Sequence, residues 1–164
     1  MRLALSSRKR VPGIALPDRC CANDDKQPAA DVEKEYTDSG GTLTAWQQGR
    51  ALEDELFASL SEDGVAGLVE YAIELHGDEL IDAHIRSASQ GRLTLASCVD
   101  DLSATPVRAV LGKASRTKRA GWYKSVTWME HVAREIAGPD LEQADEGFRD
   151  LIYGLFGWIE DGGQ

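Results

Sequence analysis

No apolar run in this 164-residue chain approaches the roughly 20 residues that a membrane-spanning helix needs. The N-terminus, MRLALSSRKRVPGIALP, also lacks the order of a secretory signal, because its short apolar patch precedes its basic cluster. A cytoplasmic location is therefore expected. Cysteine is scarce, and Cys20, Cys21 and Cys98 have no zinc-binding spacing, so they read as free thiols. A Walker-type phosphate loop, a serine nucleophile elbow and a zinc-peptidase helix are all absent. Standard ATP binding and those two hydrolase chemistries are thereby excluded. Basic residues are outnumbered, 18 against 28 acidic, for a net charge of -10. That balance argues against a general nucleic-acid coat protein, since phosphate binding needs basic surface. Internal repeats and low-complexity linkers are missing too.

What is present suits one compact domain: 42% hydrophobic and 28% charged residues. Pro12, Pro17 and Pro28 punctuate the first thirty positions, where Ile14-Ala15-Leu16 begins a short strand. A short helix is expected over 29–36 and a strand over 42–46, the latter β-branched and aromatic. Helices then dominate. Residues 51–60 form one. Ser61 caps the next, where Val65, Leu68, Val69, Ala72 and Leu75 make one buried stripe. Gly77 ends it. Leu80, Ile81, His84, Ile85 and Ala88 form a second stripe that Gly91 closes. Thr105-Pro106 starts another helix. Residues 122–136 are expected helical, with Trp122, Val126, Met129, Val132 and Ile136 on one face. A last helix over 144–159 turns Phe148, Leu151, Ile152, Leu155, Phe156 and Ile159 inward. The fold class is mostly α with a small β element, an α/β remnant.

Three segments carry chemistry. Asn23-Asp24-Asp25 follows a strand; close carboxylates there can hold Mg²⁺, and the same residues equally make a turn. Glu53-Asp54-Glu55 follows strand 42–46. Acids at that place line α/β sites, or simply compensate a helix dipole, and Glu53 and Glu55 point differently on a helix. The stretch from Arg108 to Lys124 holds Arg108, Lys113, Arg116, Lys118, Arg119 and Lys124, with no acid between Asp101 and Glu130. It suits a phosphate backbone, with Trp122 and Tyr123 available for stacking, or else a solvated basic loop. His84, on an apolar stripe, reads as a packed histidine, and His131 has no histidine one turn away.

The order of these features resembles a known family. Asn23-Asp24-Asp25-Lys26, the strand ending at Trp46, and Gly49-Arg50-Ala51-Leu52-Glu53-Asp54-Glu55-Leu56-Phe57 look like the later Toprim segment of overcoming-lysogenization-defect (OLD) family ATP-dependent endonucleases. Gly121-Trp122-Tyr123-Lys124-Ser125 looks like the helical extension that supplies a catalytic lysine in that family. The resemblance implies residues 1–21 as an irregular segment, truncated or non-native, 22–60 as a partial Toprim-like α/β segment, and 61–164 as a helical C-terminal extension. It implies a metal-dependent DNA endonuclease fragment of the kind used in phage defence. Asp24, Asp25, Glu53 and Glu55 would hold Mg²⁺ or Mn²⁺, with Glu53 and Lys124 catalytic. Arg108, Lys113, Arg116, Lys118 and Arg119 would meet DNA. Ala22 stands where the family's acidic loop has its first acid, and the ATPase domain is missing. Activity is therefore expected to need a separately encoded ATPase or another partner protein. Two other readings stay open: a non-enzymatic acidic helical interaction protein, and a DNA-binding module without catalysis.

Overall fold

The computed structural model describes residues 50–118 and 120–160, and before them 14–15, 34–35, 38, 42–43, 46 and 49. Strands β1 (Ile14–Ala15) and β2 (Thr42–Leu43) pair in parallel, with Ile14 beside Thr42. The rest of the described chain is mostly helical. No helix among the described residues is long and apolar enough to cross a membrane.

Helix α1 (Leu52–Ser59) carries Glu53, Asp54 and Glu55 in its first turn, where acids complement the positive end of the helix. Helix α2 (Glu62–His76) starts at Ser61, whose hydroxyl accepts the Gly64 N–H at 3.2 Å. Gly77, at φ +81°, lets α2 pass directly into α3 (Asp78–Ser89). Thr94 and Ser97 cap each other across the start of the short α4 (Leu95–Val99). Asp82 on α3 accepts the Leu95 N–H at 2.7 Å, which docks α4 against α3. Pro106 opens α5 (Thr105–Ser115), and Ser125 caps α6 (Val126–His131). Beyond α6 the helix widens into a π-helical stretch, Val132–Ala137. Gly138 N–H donates to Ala133 O, and Pro139 has no N–H to restore the ordinary ladder. Short turns at Gly138–Asp140 and Leu141–Gln143 lead to the last helix, α7 (Glu146–Glu160).

Helix α5 sits at the centre, with α1 and α3 packed along it. Phe57, Val65, Leu68, Ile81, Ile85, Leu111 and Trp122 are fully buried around that contact. The apolar stripes of α2 and α3 face this core, as their periodicity requires.

Three expectations change. Residues 122–125 are not helical: Trp122 and Tyr123 are drawn into the core, the helix begins only at Val126, and Val126 is 85% exposed. Helix α4 was not expected, because five residues are too few to show a period. The inward face of α7 ends early. Phe148 is buried and Ile152 packs on the core, but Phe156 and Ile159 are 58% and 59% exposed.

Candidate functional site

Trp122 and Tyr123, between α5 and α6, form a plug driven into the helical body. Trp122 N–H donates to Ser115 O at 3.0 Å, which turns the chain inward as α5 ends. The Trp122 ring meets Phe57 edge-on at 6.0 Å, and its indole N–H donates to His84 Nδ1 at 3.1 Å. Its carbonyl accepts from His76 Nε2 at 2.9 Å. Tyr123 donates its hydroxyl to Leu68 O at 2.5 Å and stacks parallel to Tyr71 at 6.3 Å. Tyr71 in turn stacks on His131 at 4.0 Å, and His76 meets Trp128 edge-on at 5.3 Å. The three histidines of the chain therefore ring this plug. Burial, followed by the nearby charge of His76, pushes the His84 imidazole below its ordinary pKa. The Tyr123 phenol is pushed well above its ordinary value by burial first, then by Glu53 and Tyr71.

Glu53, in the first turn of α1, is 7% exposed, and two positions apart on a helix its side chain and that of Glu55 turn to different sides. Glu55 points elsewhere. It is fully buried, accepts the Ser59 hydroxyl at 2.9 Å and pairs with Arg50 at 3.3 Å, while its Oε2 has no hydrogen-bond partner. Asp54 lies between them and pairs with Arg116 Nε at 3.1 Å. The two glutamates thus do not converge on one ion. No group of three metal-ligating side chains is assembled among the described residues. Asp24 and Asp25, the other expected ligands, lie outside the described residues, as does Arg119. Among the described residues, Glu55 Oε2 is a buried carboxylate oxygen with no hydrogen-bond partner, a hard donor of the kind a divalent cation takes.

The basic stretch is largely used inside the fold. Arg108 donates Nε to Leu102 O at 2.7 Å and Nη1 to Leu60 O at 2.6 Å, with longer contacts to Phe57 O at 3.3 Å and Ala58 O at 3.4 Å. The Phe57, Ala58 and Leu60 carbonyls belong to the C-terminal end of α1, so the guanidinium caps that helix. Lys124 folds back over Gly121 and donates to Lys118 O at 2.7 Å. Lys113 reaches Ala88 O at 3.4 Å, and Lys118 is exposed. Trp122 and Tyr123, expected as stacking platforms, are 0% and 2% exposed and present no ring face to a base.

The sequence reading missed Asp140. Its carboxylate accepts both the backbone N–H of Ser61, at 2.8 Å, and the Ser61 hydroxyl. It also forms one wall of a shallow cleft of about 260 Å³ that includes Asp63, Gly67, Glu135 and Ile136. The only sequence signal for it was the Gly138-Pro139 break beside it. Cys98 is a buried free thiol, its pKa raised by burial and then by Asp82, so it is poorly reactive. Comparison with protein-family models, with curated proteins and with solved structures finds no match.

Proposed function

We propose that the chain is a non-enzymatic helical interaction protein whose contact element is the distal half of α7. The observation that carries this reading is the exposure of Tyr153, Phe156 and Ile159, at 48%, 58% and 59%, on a helix whose first turns are anchored in the core. Large apolar side chains left in water beside one another mark contact surfaces. An acidic exposed face elsewhere on the helical body also suits a role in binding. Glu62, Asp63, Glu70, Glu74, Asp78 and Glu79 are all exposed on α2 and α3, with no lysine or arginine between positions 62 and 79.

One observation favours a second reading, a partial Toprim-like domain followed by a helical extension, in which the chain is a metal-dependent endonuclease fragment. It is the Glu55 Oε2, buried without a donor, as a metal-facing oxygen would be. The two readings separate on supercoiled plasmid incubated with the protein and Mg²⁺ or Mn²⁺. The interaction reading expects no nicking and no retention of DNA at physiological salt. Nicking that Glu55→Gln and Lys124→Ala both abolish would overturn it in favour of the nuclease. DNA retention that falls steeply with salt but ignores metal would point to a DNA-binding module instead.

A further inference from the structure

The exposed side of α7 carries a pattern that matches itself. Arg149, Tyr153, Phe156 and Glu160 stand at i, i+4, i+7 and i+11. At 100° per residue they fall within about one sixth of the helix circumference, and they span about 16 Å along it. Read in one direction the stripe is basic, aromatic, aromatic, acidic. Read in reverse it is the complement of itself. A two-fold axis midway between Tyr153 and Phe156 lays one stripe antiparallel on another. Arg149 then faces Glu160 of the other copy at both ends, and Tyr153 faces Phe156 twice in the middle.

We infer that the occupant of this surface is a second copy of the chain, docked through an antiparallel α7–α7 pair. The inference rests on the reading of α7 as a contact element and names its partner. Charge decides among arrangements. A parallel pair would set Arg149 against Arg149 and Glu160 against Glu160, whereas the antiparallel pair replaces both repulsions with attractions. Glu160 makes no ion pair among the described residues, and Arg149 makes only a 3.3 Å hydrogen bond to Glu142 O. The Tyr153 hydroxyl donates to Glu142, which anchors the ring while leaving the residue 48% exposed. The same symmetry accounts for Ile159. It lies on the flank of α7 that also carries Ile152, and the axis brings Ile159 of one copy to nearly the same level as Ile152 of the other. Since Ile152 packs on its own core, the second body would cover Ile159. Gly157, with nothing within 4 Å of a Cβ placed there, keeps the opposite flank open for close approach. Because the contact is isologous, each substitution acts twice.

Sedimentation equilibrium of the full chain over a wide micromolar range tests the inference. The wild type is expected to form a monomer–dimer equilibrium. Phe156→Glu should weaken it by at least about thirtyfold, the size of a central contact loss. Arg149→Glu and Glu160→Arg should each weaken it, and the Arg149→Glu/Glu160→Arg double variant should restore it, since the reversed charges again meet as opposites. Circular dichroism of each variant should match the wild type, because these side chains are outside the core; the charge-reversed double variant serves as the control that tolerates both changes. A wild type that stays monomeric throughout overturns the dimer and leaves the plasmid result, which bears on the broader reading, as it stands. A dimer indifferent to Phe156→Glu, or one that the single reversals weaken and the double does not restore, overturns the antiparallel α7 contact.

Discussion

A nitrogen that accepts a hydrogen bond carries no proton, and His84 Nδ1 accepts one from the Trp122 indole. Protonating that nitrogen would set two donors against each other inside the plug. Its pKa is already lowered by burial and by His76. The unfolded chain, with an ordinary histidine pKa of about 6.5, therefore binds a proton before the folded chain does. The stability tied to neutral His84 is fully present above about pH 6.5 and is lost as pH falls through the lower folded value. Asp82, whose carboxyl is held low by Arg86 and then by the Leu95 N–H, loses its contribution only below the ordinary carboxylate value of about 3.9. The His84 window therefore opens at a higher pH than the Asp82 window. Melting temperature should fall as pH drops below about 6.5, and His84→Asn, whose amide oxygen still accepts the indole N–H, should flatten that fall. An unchanged slope would mean that His84 is not the group responsible. His84 was legible in the sequence as a packed residue because it lies on an apolar stripe. Its partner was not, since the indole lies 38 positions away and nothing local announces it.

Where two helices cross closely, one residue at the crossing must be small. Between α1 and α5 that residue is Gly112, where a Cβ would stand 3.0 Å from Asp54 Cα and 2.8 Å from Asp54 Oδ1. The backbone of α1 cannot step aside without disturbing the Asp54–Arg116 pair. Gly112→Ala should destabilise the protein by about 1–2 kcal/mol, because the strain of overpacking exceeds the roughly 1 kcal/mol gained in helix propensity. Thermal unfolding would read this as a drop of about 3–6 °C, and a rise would show that the helices move apart freely. The helices themselves were the legible part of the fold. Ser61, Gly77 and Pro106 mark boundaries by local chemistry, and the stripes of α2 and α3 repeat often enough to be read. The plug at residues 122–125 was not legible. Trp122 and Val126 fit a helical period by chance, but Ser125 caps the helix that follows, and the indole finds its place in the core instead.

At the scale of the molecule, charge composition gives the sign of the surface but not where a given cation goes. The acid-free stretch from Arg108 to Lys124 reads as a phosphate-binding face. In the fold Arg108 instead holds the end of α1 to the start of α5, Arg116 answers Asp54, and Lys124 closes its own loop. Arg108→Ala would strip the charged donor from the Leu102 and Leu60 carbonyls and from the longer contacts. It should cost about 3 kcal/mol in urea unfolding. A cost below about 1 kcal/mol would show that water replaces the guanidinium and leave the side chain free for a ligand. Of the expected site, only Glu53, Glu55 and part of the basic stretch fall among the described residues, and their divergence follows from helical geometry, which turns positions i and i+2 to different sides.

The bond between Ser61 and Asp140 also sets an order of events during synthesis. The cap that starts α2 is completed by a carboxylate 79 positions further along the chain. At 5–20 residues per second, about 4–16 s pass between the emergence of the two. Through that interval α1, α2 and α3 can pair by short loops, but the turn joining α1 to α2 lacks its anchor. Asp145, whose N–H donates to Ser59 O at 2.7 Å, arrives later still. The corner between α1 and α2 is thus completed only after Asp140 and Asp145 have been made.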